Sequence, residues 1–268
     1  MNGPIGIFDS GLGGLTVFRE IERALPGEDL IYVGDTARVP YGVKSAETVT
    51  RYSQEICDFL LRQKVKAIVV ACNTASALAL PKLKQIYSIP LLGVLEPGVQ
   101  AALRVSRSAS VGVIGTEGTI QSESYVRSLK QRHHDIRVNA VACPLFVPLV
   151  EEGWVDHEVT RRVAQIYLEP MQGKAIDTLI LGCTHYPLLK KVLQETLGQD
   201  VTLVDSAWET AQSLKRLLVE NKLLKTATQG GEHRYYSTDA PHKMRALAKR
   251  FLGHELENIQ LTDLGVAL

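Results

Sequence analysis

The chain has 268 residues, of which 45% are hydrophobic and 22% are charged, values typical of a globular protein with room for two modest domains. Thirty Lys and Arg residues against 29 Asp and Glu residues leave a formal net charge of +1, so no global basic field favours nucleic acid or an anionic membrane as a partner. Neither a secretion signal nor an apolar run of the ~18 residues that a bilayer span needs is evident, which predicts a cytoplasmic protein without a membrane partner.

Eight short runs rich in Ile, Val and Leu recur along the chain, and segments with helical spacing separate most of them. Runs of this length and composition are typical of buried parallel strands. They cover residues 5–8, 30–33, 67–71, 91–94, 111–115, 136–142, 178–182 and 201–204. The alternation of strands and helices predicts an α/β protein with crossover connections.

The sequence also resembles itself at an offset of roughly 100 residues. The stretch IGIFDSG that begins at Ile5 resembles VGVIGTE from Val111, and AIVVACNT ending at Thr74 resembles TLILGCTH ending at His185. We therefore predict two homologous α/β halves, each with its own mostly parallel sheet. The first domain comprises residues 1–94 plus 208–268, because the unduplicated tail is expected to return to it, and the second comprises residues 95–207.

The turn after the first predicted strand contains candidate ligand-binding residues, since ligands of open parallel sheets bind at the carboxyl ends of the strands. Asp9 and Ser10 precede a glycine-rich turn over residues 11–14 and then a helix. Glycine allows close backbone approach to a ligand, and the helix N-terminus favours an anion. Asp9 is suited to cap that helix or to bind an ammonium group. The turn matches neither a dinucleotide fingerprint nor a Walker motif, so an ordinary strand-to-helix turn is the structural alternative.

The second predicted strand leads into a polar loop over residues 34–42 that contains Asp35, Tyr41 and Gly42. Pro40 and Gly42 favour an irregular backbone at this point. The loop therefore joins the first turn as a candidate binding element, with a surface turn as its structural alternative.

Cys72 follows the third predicted strand, at a helix start where amide dipoles lower the pKa of a thiol toward neutrality. A buried, inert cysteine is the alternative. Cys183 occupies the equivalent position in the second half, and His185 follows it two residues later. If the two halves face each other about a pseudo-two-fold axis, the thiols approach one cleft from opposite sides. Two acid/base groups on opposite faces of one carbon are what inversion of a stereocentre without a cofactor requires.

The remaining cysteines and several histidines are assigned no role in this chemistry. Cys57 lies within a helical pattern and Cys143 has no duplicated partner, so both are expected to pack in the interior. His133 and His134 lie in a charged, solvated stretch. Because the four cysteines form no CxxC pair and no Cys/His cluster has metal-site spacing, we predict reduced thiols and no metal site.

Five motifs in this order resemble the signature motifs of the bacterial glutamate racemase family. They are DSGLGG from Asp9, GDTARVPYG from Gly34, ACNTAS from Ala71, VLEPG from Val94 and GCTHYPLL from Gly182. The resemblance implies two pseudo-symmetric three-layer α/β domains with mostly parallel sheets and an active site in the cleft between them. It further implies no cofactor, and interconversion of L- and D-glutamate to supply D-glutamate for peptidoglycan. It also implies a homo-oligomer, most often a dimer.

The resemblance also implies the roles of individual residues. Cys72 is expected to remove the α-proton of D-glutamate and Cys183 that of L-glutamate, with Asp9 and His185 as assisting residues. Asp35 and Glu151 correspond to acidic positions that the family places near the site. The implied substrate contacts are Asp9, Ser10, Tyr41, Gly42, Asn73, Thr74, Thr184 and His185, with Thr116 and Thr119 of the turn after the fifth predicted strand in addition.

The proposed chemistry predicts a closed, dry site. The α-proton of an amino acid is a very weak acid, so donors in the site must stabilise the carbanion, and excluding water strengthens those donors. We therefore expect a hinged closure of the two halves. If solution scattering showed that the separation of the domains does not depend on substrate, this expectation would be wrong. Pyridoxal phosphate would require a Schiff-base lysine, and none lies in the strand-end motifs.

Three other functions stay open at this point. A two-cysteine racemase that acts on aspartate or a hydantoin would share the fold and the thiol pair, although the loop from Gly34 and the motif from Ala71 favour glutamate. A thiol hydrolase would use Cys72 or Cys183 as nucleophile and His185 as base, and would form a covalent acyl intermediate. The third is a non-catalytic binding role, which the near-neutral charge does not support.

Overall fold

The fold consists of two parallel sheets flanked by helices, in a computed structural model that describes residues 3–226, 230–256 and 258–264. The strands of the described chain are β1 Ile5–Asp9, β2 Leu30–Gly34, β3 Ala67–Val70, β4 Leu91–Gly93, β5 Ser110–Gly115, β6 Arg137–Ala142, β7 Thr178–Gly182, β8 Thr202–Val204, β9 His233–Ser237 and β10 Ile259–Leu261. All eight predicted strands are therefore present, each within one or two residues of its expected ends.

Helices follow most of the strands, as the alternating pattern predicts. The α-helices are α1 Leu15–Ala24, α2 Ala46–Arg62, α3 Asn73–Leu78, α4 Leu80–Ile86, α5 Leu95–Val105, α6 Glu117–Gln121, α7 Ser124–Arg132, α8 Phe146–Glu151, α9 Glu158–Leu168, α10 Lys190–Leu197, α11 Ser206–Glu220 and α12 Pro241–Leu252. Short 3-10 turns cover Thr36–Arg38, Tyr41–Val43, Glu169–Met171 and Tyr186–Leu189. Among the residues that the structure describes, none of these helices combines the length and apolar character that crossing a bilayer requires.

The two sheets repeat one topology. The first has six strands in the order β10-β9-β2-β1-β3-β4, and the second has four in the order β6-β5-β7-β8. All described strand pairs are parallel, so the predicted fold class of parallel α/β sheets is confirmed. Because β2-β1-β3-β4 and β6-β5-β7-β8 have the same relative order, the sequence repeat corresponds to a structural repeat in which β3 matches β7.

The tail of the chain adds two strands to the first sheet. β9 pairs with β2, placing His233 opposite Leu30, and β10 pairs with β9. The sequence of β9, HRYYS, lacks an Ile, Val or Leu run, so periodicity did not predict it as a strand; its burial depends on Tyr235 and Tyr236 instead. The division of the chain into residues 1–94 plus 208–268 and residues 95–207 stays a prediction.

One hydrophobic core runs through both halves. Its buried residues include Ile7 and Leu15 from the first half and Leu181 and Leu189 from the second. Helix α11 packs against both α1 and α5 and contributes Leu214 to the same core. This shared core holds the carboxyl ends of the two sheets close to each other.

Candidate active site

A cavity of about 410 Å³ lies where the carboxyl ends of the two sheets meet. Most of the predicted site residues line it: Ser10, Tyr41, Gly42, Cys72, Asn73, Thr74, Thr116, Glu151, Cys183, Thr184 and His185. Asp9, Asp35 and Thr119 are not among the residues that line this cavity. Pro144, Val147, Pro148 and Glu117 line it as well, although no pattern in the sequence pointed to them.

Cys72 caps the N-terminus of α3 directly after β3. Its Sγ accepts a hydrogen bond from the amide of Ala75 and donates one to Oγ of Ser10, and each of these bonds is 3.5 Å long. Burial, reinforced by the carboxylate of Asp9, raises the pKa of Cys72 to about 12, although the amide of Ala75 acts to lower it. The expectation that helix dipoles lower this pKa is therefore wrong, because the thiol is only 5% exposed and desolvation of the thiolate outweighs the dipoles.

Asp9 is buried beside this thiol, at the end of β1. Its Oδ2 accepts a hydrogen bond of 3.0 Å from the amide of Gly11, whereas Oδ1 has no hydrogen-bond partner among the described residues. Burial raises the pKa of Asp9, and the nearby ring of His185 acts in the opposite direction. Asp9 therefore lies near both Cys72 and His185.

Cys183 follows β7 in the second half and shares its surroundings with His185. Its Sγ is 3.9 Å from Nδ1 of His185, and Nε2 of the same ring is 3.2 Å from Oε1 of Glu151. Burial acts to lower the pKa of His185, but the hydrogen bonds with Cys183 and Glu151 raise it to about 10. The same hydrogen bond lowers the pKa of Glu151. The ring is therefore an imidazolium between a sulfur and a carboxylate at neutral pH.

Helix α12 supports this pair from the C-terminal part of the chain. Arg250 Nη1 donates a hydrogen bond of 2.8 Å to the carbonyl oxygen of Glu151, and Nζ of Lys243 lies 3.9 Å from its carboxylate. The ring of Phe251 stands edge-on to that of His185, with 5.3 Å between the centroids. The sequence carried no signal for these contacts, since α12 has no counterpart in the repeat.

The loops that follow β1 and β7 touch at the base of the cavity. A Cβ added at Gly13 would lie 2.2 Å from Oγ1 of Thr184 and 2.4 Å from Nδ1 of His185. Thr16 reinforces this approach, since its hydroxyl lies 3.3 Å from the carbonyl oxygen of Thr184. Glycine at this position is therefore required by the packing of one half on the other.

Three threonine hydroxyls form a second contact between the halves. Oγ1 of Thr74 is 2.9 Å from Oγ1 of Thr116 and 3.3 Å from that of Thr119, and the last two are 3.0 Å apart. Thr74 belongs to α3, whereas Thr116 caps α6 and Thr119 lies within it. Thr119 thus lies behind the other two hydroxyls, where it can orient them.

Asp35 lies behind Tyr41. It is fully buried and accepts hydrogen bonds from the hydroxyl of Tyr41, from Nε of Arg38 at 2.7 Å and from Oγ1 of Thr238 at 2.9 Å. These contacts tie the loop after β2 to the C-terminal part of the first sheet. In this structure Asp35 positions Tyr41 and does not itself reach the cavity.

The cavity offers polar donors and an apolar wall. Among the described residues, neither Lys nor Arg lines it, so a bound carboxylate would meet hydroxyl, amide and backbone N–H groups. The apolar part of its lining consists of Val39, Pro40, Val43, Pro144, Val147 and Pro148. Within the part of the chain that the structure describes, no group of His, Cys, Asp and Glu side chains has the geometry to hold a metal ion.

The other two cysteines are buried outside this cavity. Cys57 packs in α2, where burial raises the pKa of its thiol to about 12, and Cys143 follows β6. Neither lines the cavity, in agreement with the packing role that the sequence predicts.

Comparison with known proteins identifies one family. The family model described as Asp/Glu/Hydantoin racemase matches residues 5–214. The chain is 54% identical to the glutamate racemase of Geobacter metallireducens over 260 residues, which are 97% of this chain and 96% of that relative. It is similar to the solved glutamate racemase of Francisella tularensis in complex with D-glutamate, with a TM-score of 0.92, 41% identity and 98% of each chain covered. It also resembles that of Thermus thermophilus in complex with beta-chloro-D-alanine, with a TM-score of 0.89, 49% identity and 98% of each chain covered.

Proposed function

The chain belongs to the Asp/Glu/Hydantoin racemase family and is an enzyme of its glutamate racemase class, and we propose that it interconverts L- and D-glutamate with the thiols of Cys72 and Cys183. The observation that carries this mechanism is that both thiols line one cavity. They do so from the ends of β3 and β7, the equivalent strands of the two halves. A carbon held between them can therefore exchange a proton on either face.

In each direction one thiolate acts as base and the opposing thiol acts as acid. When Cys183 removes the α-proton of L-glutamate, its sulfur takes up that proton and the electron pair remains on the α-carbon. The thiol of Cys72 then donates its own proton to the opposite face, which gives D-glutamate and a Cys72 thiolate. The reverse reaction begins with that thiolate. No net proton is gained or lost, and no oxidant or reductant is needed.

The groups beside the two thiols differ in charge. The imidazolium of His185 lies beside Cys183, whereas burial and the carboxylate of Asp9 raise the pKa of Cys72 and keep it protonated. Asp9 and His185 act as assisting residues in this scheme, with Glu151 holding the ring of His185 in place.

A dry site compensates for the weak acidity of the substrate. The side chains of Cys72 and Cys183 are only 5% and 6% exposed, so donors around them act in a medium of low dielectric constant. Substrate carboxylates would bind to hydroxyl and amide groups such as those of Ser10, Asn73 and Thr184. Since no lysine lines the described cavity to form a Schiff base, we propose that the reaction needs no pyridoxal phosphate. Hinged opening of the halves to admit substrate stays a prediction.

The proposal extends to the biological setting. Production of D-glutamate would supply peptidoglycan synthesis, a role that places the enzyme in the cytoplasm. We also propose that the enzyme is a homodimer and that it has neither nucleic acid nor a membrane as a partner. Sedimentation of the purified protein at several concentrations tests the oligomeric state.

The central experiment follows the α-proton of glutamate in heavy water by proton NMR, together with optical rotation. With wild-type protein and no added cofactor, we expect both the α-proton signal and the rotation to decay. Cys72→Ala and Cys183→Ala should each abolish inversion, whereas Cys57→Ala, which removes a buried thiol outside the cavity, should racemise glutamate at close to the wild-type rate.

Each alternative function predicts a different result. Inversion by either active-site single variant would exclude the two-thiol mechanism. Loss of the α-proton from aspartate but not from glutamate would retain the family and change the substrate. An acyl adduct on Cys72 or Cys183 in the mass spectrum, without proton exchange, would indicate a thiol hydrolase.

A further inference from the structure

Tyr125 connects the two cysteine-bearing segments of the site. It belongs to α7 in the second half and is only 2% exposed, and a Cβ added at Gly182, the residue before Cys183, would lie 3.2 Å from its ring. Its hydroxyl donates a hydrogen bond of 2.7 Å to Oδ1 of Asn73, the residue after Cys72. One rigid side chain therefore packs beside one thiol segment and hydrogen-bonds to the other.

This hydrogen bond determines which way the amide of Asn73 points. Asn73 is 3% exposed and lines the cavity, and its Oδ1 is occupied by Tyr125. Its Nδ2 is buried and has no hydrogen-bond partner among the described residues. A buried amide donor without an acceptor is costly, so a ligand oxygen at this position would be stabilised by it.

We propose that Tyr125 is a positioning residue that orients Asn73 so that Nδ2 donates a hydrogen bond to a carboxylate of bound glutamate. This inference rests on the proposed function, which makes glutamate the substrate. Without the tyrosine hydroxyl, the amide can rotate by half a turn and present Oδ1, whose lone pairs repel a carboxylate. Burial raises the pKa of Tyr125, which keeps its hydroxyl protonated and able to donate throughout the pH range of catalysis. Loss of the hydroxyl leaves both thiols in place.

The direct test is the Tyr125→Phe variant, which removes only the hydroxyl. We expect the KM for both enantiomers of glutamate to rise about tenfold while kcat stays within about threefold, because a hydrogen bond to a charged group is lost and the acid/base pair is retained. Tyr87→Phe is the control: it also removes a tyrosine hydroxyl with a 2.7 Å hydrogen bond, to Asp58. Because neither Asp58 nor Gln54, the other residue to which this hydroxyl donates, lines the cavity, the KM of this variant should not change.

A double-mutant cycle separates positioning from general support of the fold. In an Asn73→Ala background, Tyr125→Phe should raise KM no further, because the group through which Tyr125 acts is absent. A purely structural role would instead lower kcat and the thermal midpoint in both backgrounds.

Asn73→Asp provides a second test that leaves Tyr125 intact. One carboxylate oxygen would accept from Tyr125 and the other would face the substrate, so KM should rise more than in Asn73→Ala. Equal effects of the two substitutions, or an unchanged KM in Tyr125→Phe, would overturn the assignment while leaving the proposed function in place. Absence of α-proton exchange in the wild-type enzyme would instead overturn the proposed function.

Discussion

His185 illustrates how the chemistry of a single residue depends on neighbours from different parts of the chain. Its Nδ1 faces Cys183, its Nε2 faces Glu151, and its ring meets Phe251 of α12. Burial alone would favour the neutral ring, yet the sulfur and the carboxylate raise its pKa to about 10. The charge on His185 is thus determined by these two contacts together with the nearby carboxylate of Asp9.

Removal of the Glu151 charge should make His185 easier to deprotonate. In the wild type, we expect the Cε1 proton resonance of His185 to titrate with a midpoint of about 10, so the ring is charged below that pH and neutral above it. In Glu151→Gln the midpoint should fall, since one of the interactions that favour the cation is weakened. NMR titration measures both, with the resonance assigned by its loss in His185→Gln. A wild-type midpoint near 6.5, or an unchanged midpoint in Glu151→Gln, would contradict this electrostatic account.

At the residue scale, the sequence could identify the groups that follow strands but not those that reach the site through packing. Cys72 and Cys183 were predicted because the repeat places both at strand ends. Tyr125 and Arg250 were not, because their contacts with Asn73 and Glu151 join residues that are distant in the chain and match no motif. The expected pKa of Cys72 was wrong for a related reason: the degree of burial of a strand-end thiol is a property of the assembled cleft.

At the scale of elements, the loop between β1 and α1 is shaped by its contact with the loop after β7. A side chain at Gly13 would overlap Thr184 and His185, so the glycine permits the approach of the two loops. This contact transmits any displacement of one loop to the other. It therefore links the geometry around Cys72 to that around Cys183.

Substitution of Gly13 by alanine should reduce both activity and stability. We expect kcat/KM for glutamate to fall about a hundredfold, because small displacements of reacting groups are costly, with a loss in the free energy of unfolding of about 1–3 kcal/mol from overpacking. Steady-state kinetics and chemical denaturation measure the two effects. Gly6→Ala serves as control, since its added Cβ would meet only the side chain of Leu60, at 3.0 Å, in the core of the first half. Equal kcat/KM values in the two variants would contradict the proposed coupling of the loops.

The elements that could be predicted are those with a strong local signal. Strands such as β3 and β7 are continuous apolar runs, and their burial on both faces follows from that composition. β9 and β10 could not be predicted from apolar runs, because their strand character depends on pairing with β2 and with each other. Such strands are stabilised by these tertiary contacts more than by their own sequence.

At the scale of the whole molecule, the shared core makes the two halves mutually dependent. Ile7 and Leu181, from different sheets, belong to one buried cluster, and α11 packs on helices of both halves. Isolated halves would expose this cluster to water. The sequence repeat predicted two similar units, but it could not predict how much apolar surface they bury against each other.

We therefore expect the chain to unfold in one cooperative transition. Calorimetry should give a calorimetric enthalpy equal to the van't Hoff enthalpy, the criterion of two-state unfolding. Leu181→Ala, in the second half, should lower the midpoint of that single transition by destabilising the molecule as a whole. Two separable transitions, only one of which responds to Leu181→Ala, would contradict the shared core.

The unlike surroundings of Cys72 and Cys183 have a thermodynamic consequence. One thiol is beside Asp9 and Ser10 and the other beside His185, so the two directions of the proposed reaction begin from different protonation states. In water, however, mirror-image substrates have equal free energies, and an enzyme cannot alter that balance. Any advantage in turnover that this asymmetry confers on one enantiomer must therefore be matched by weaker apparent binding of the same enantiomer, so that the two specificity constants remain equal.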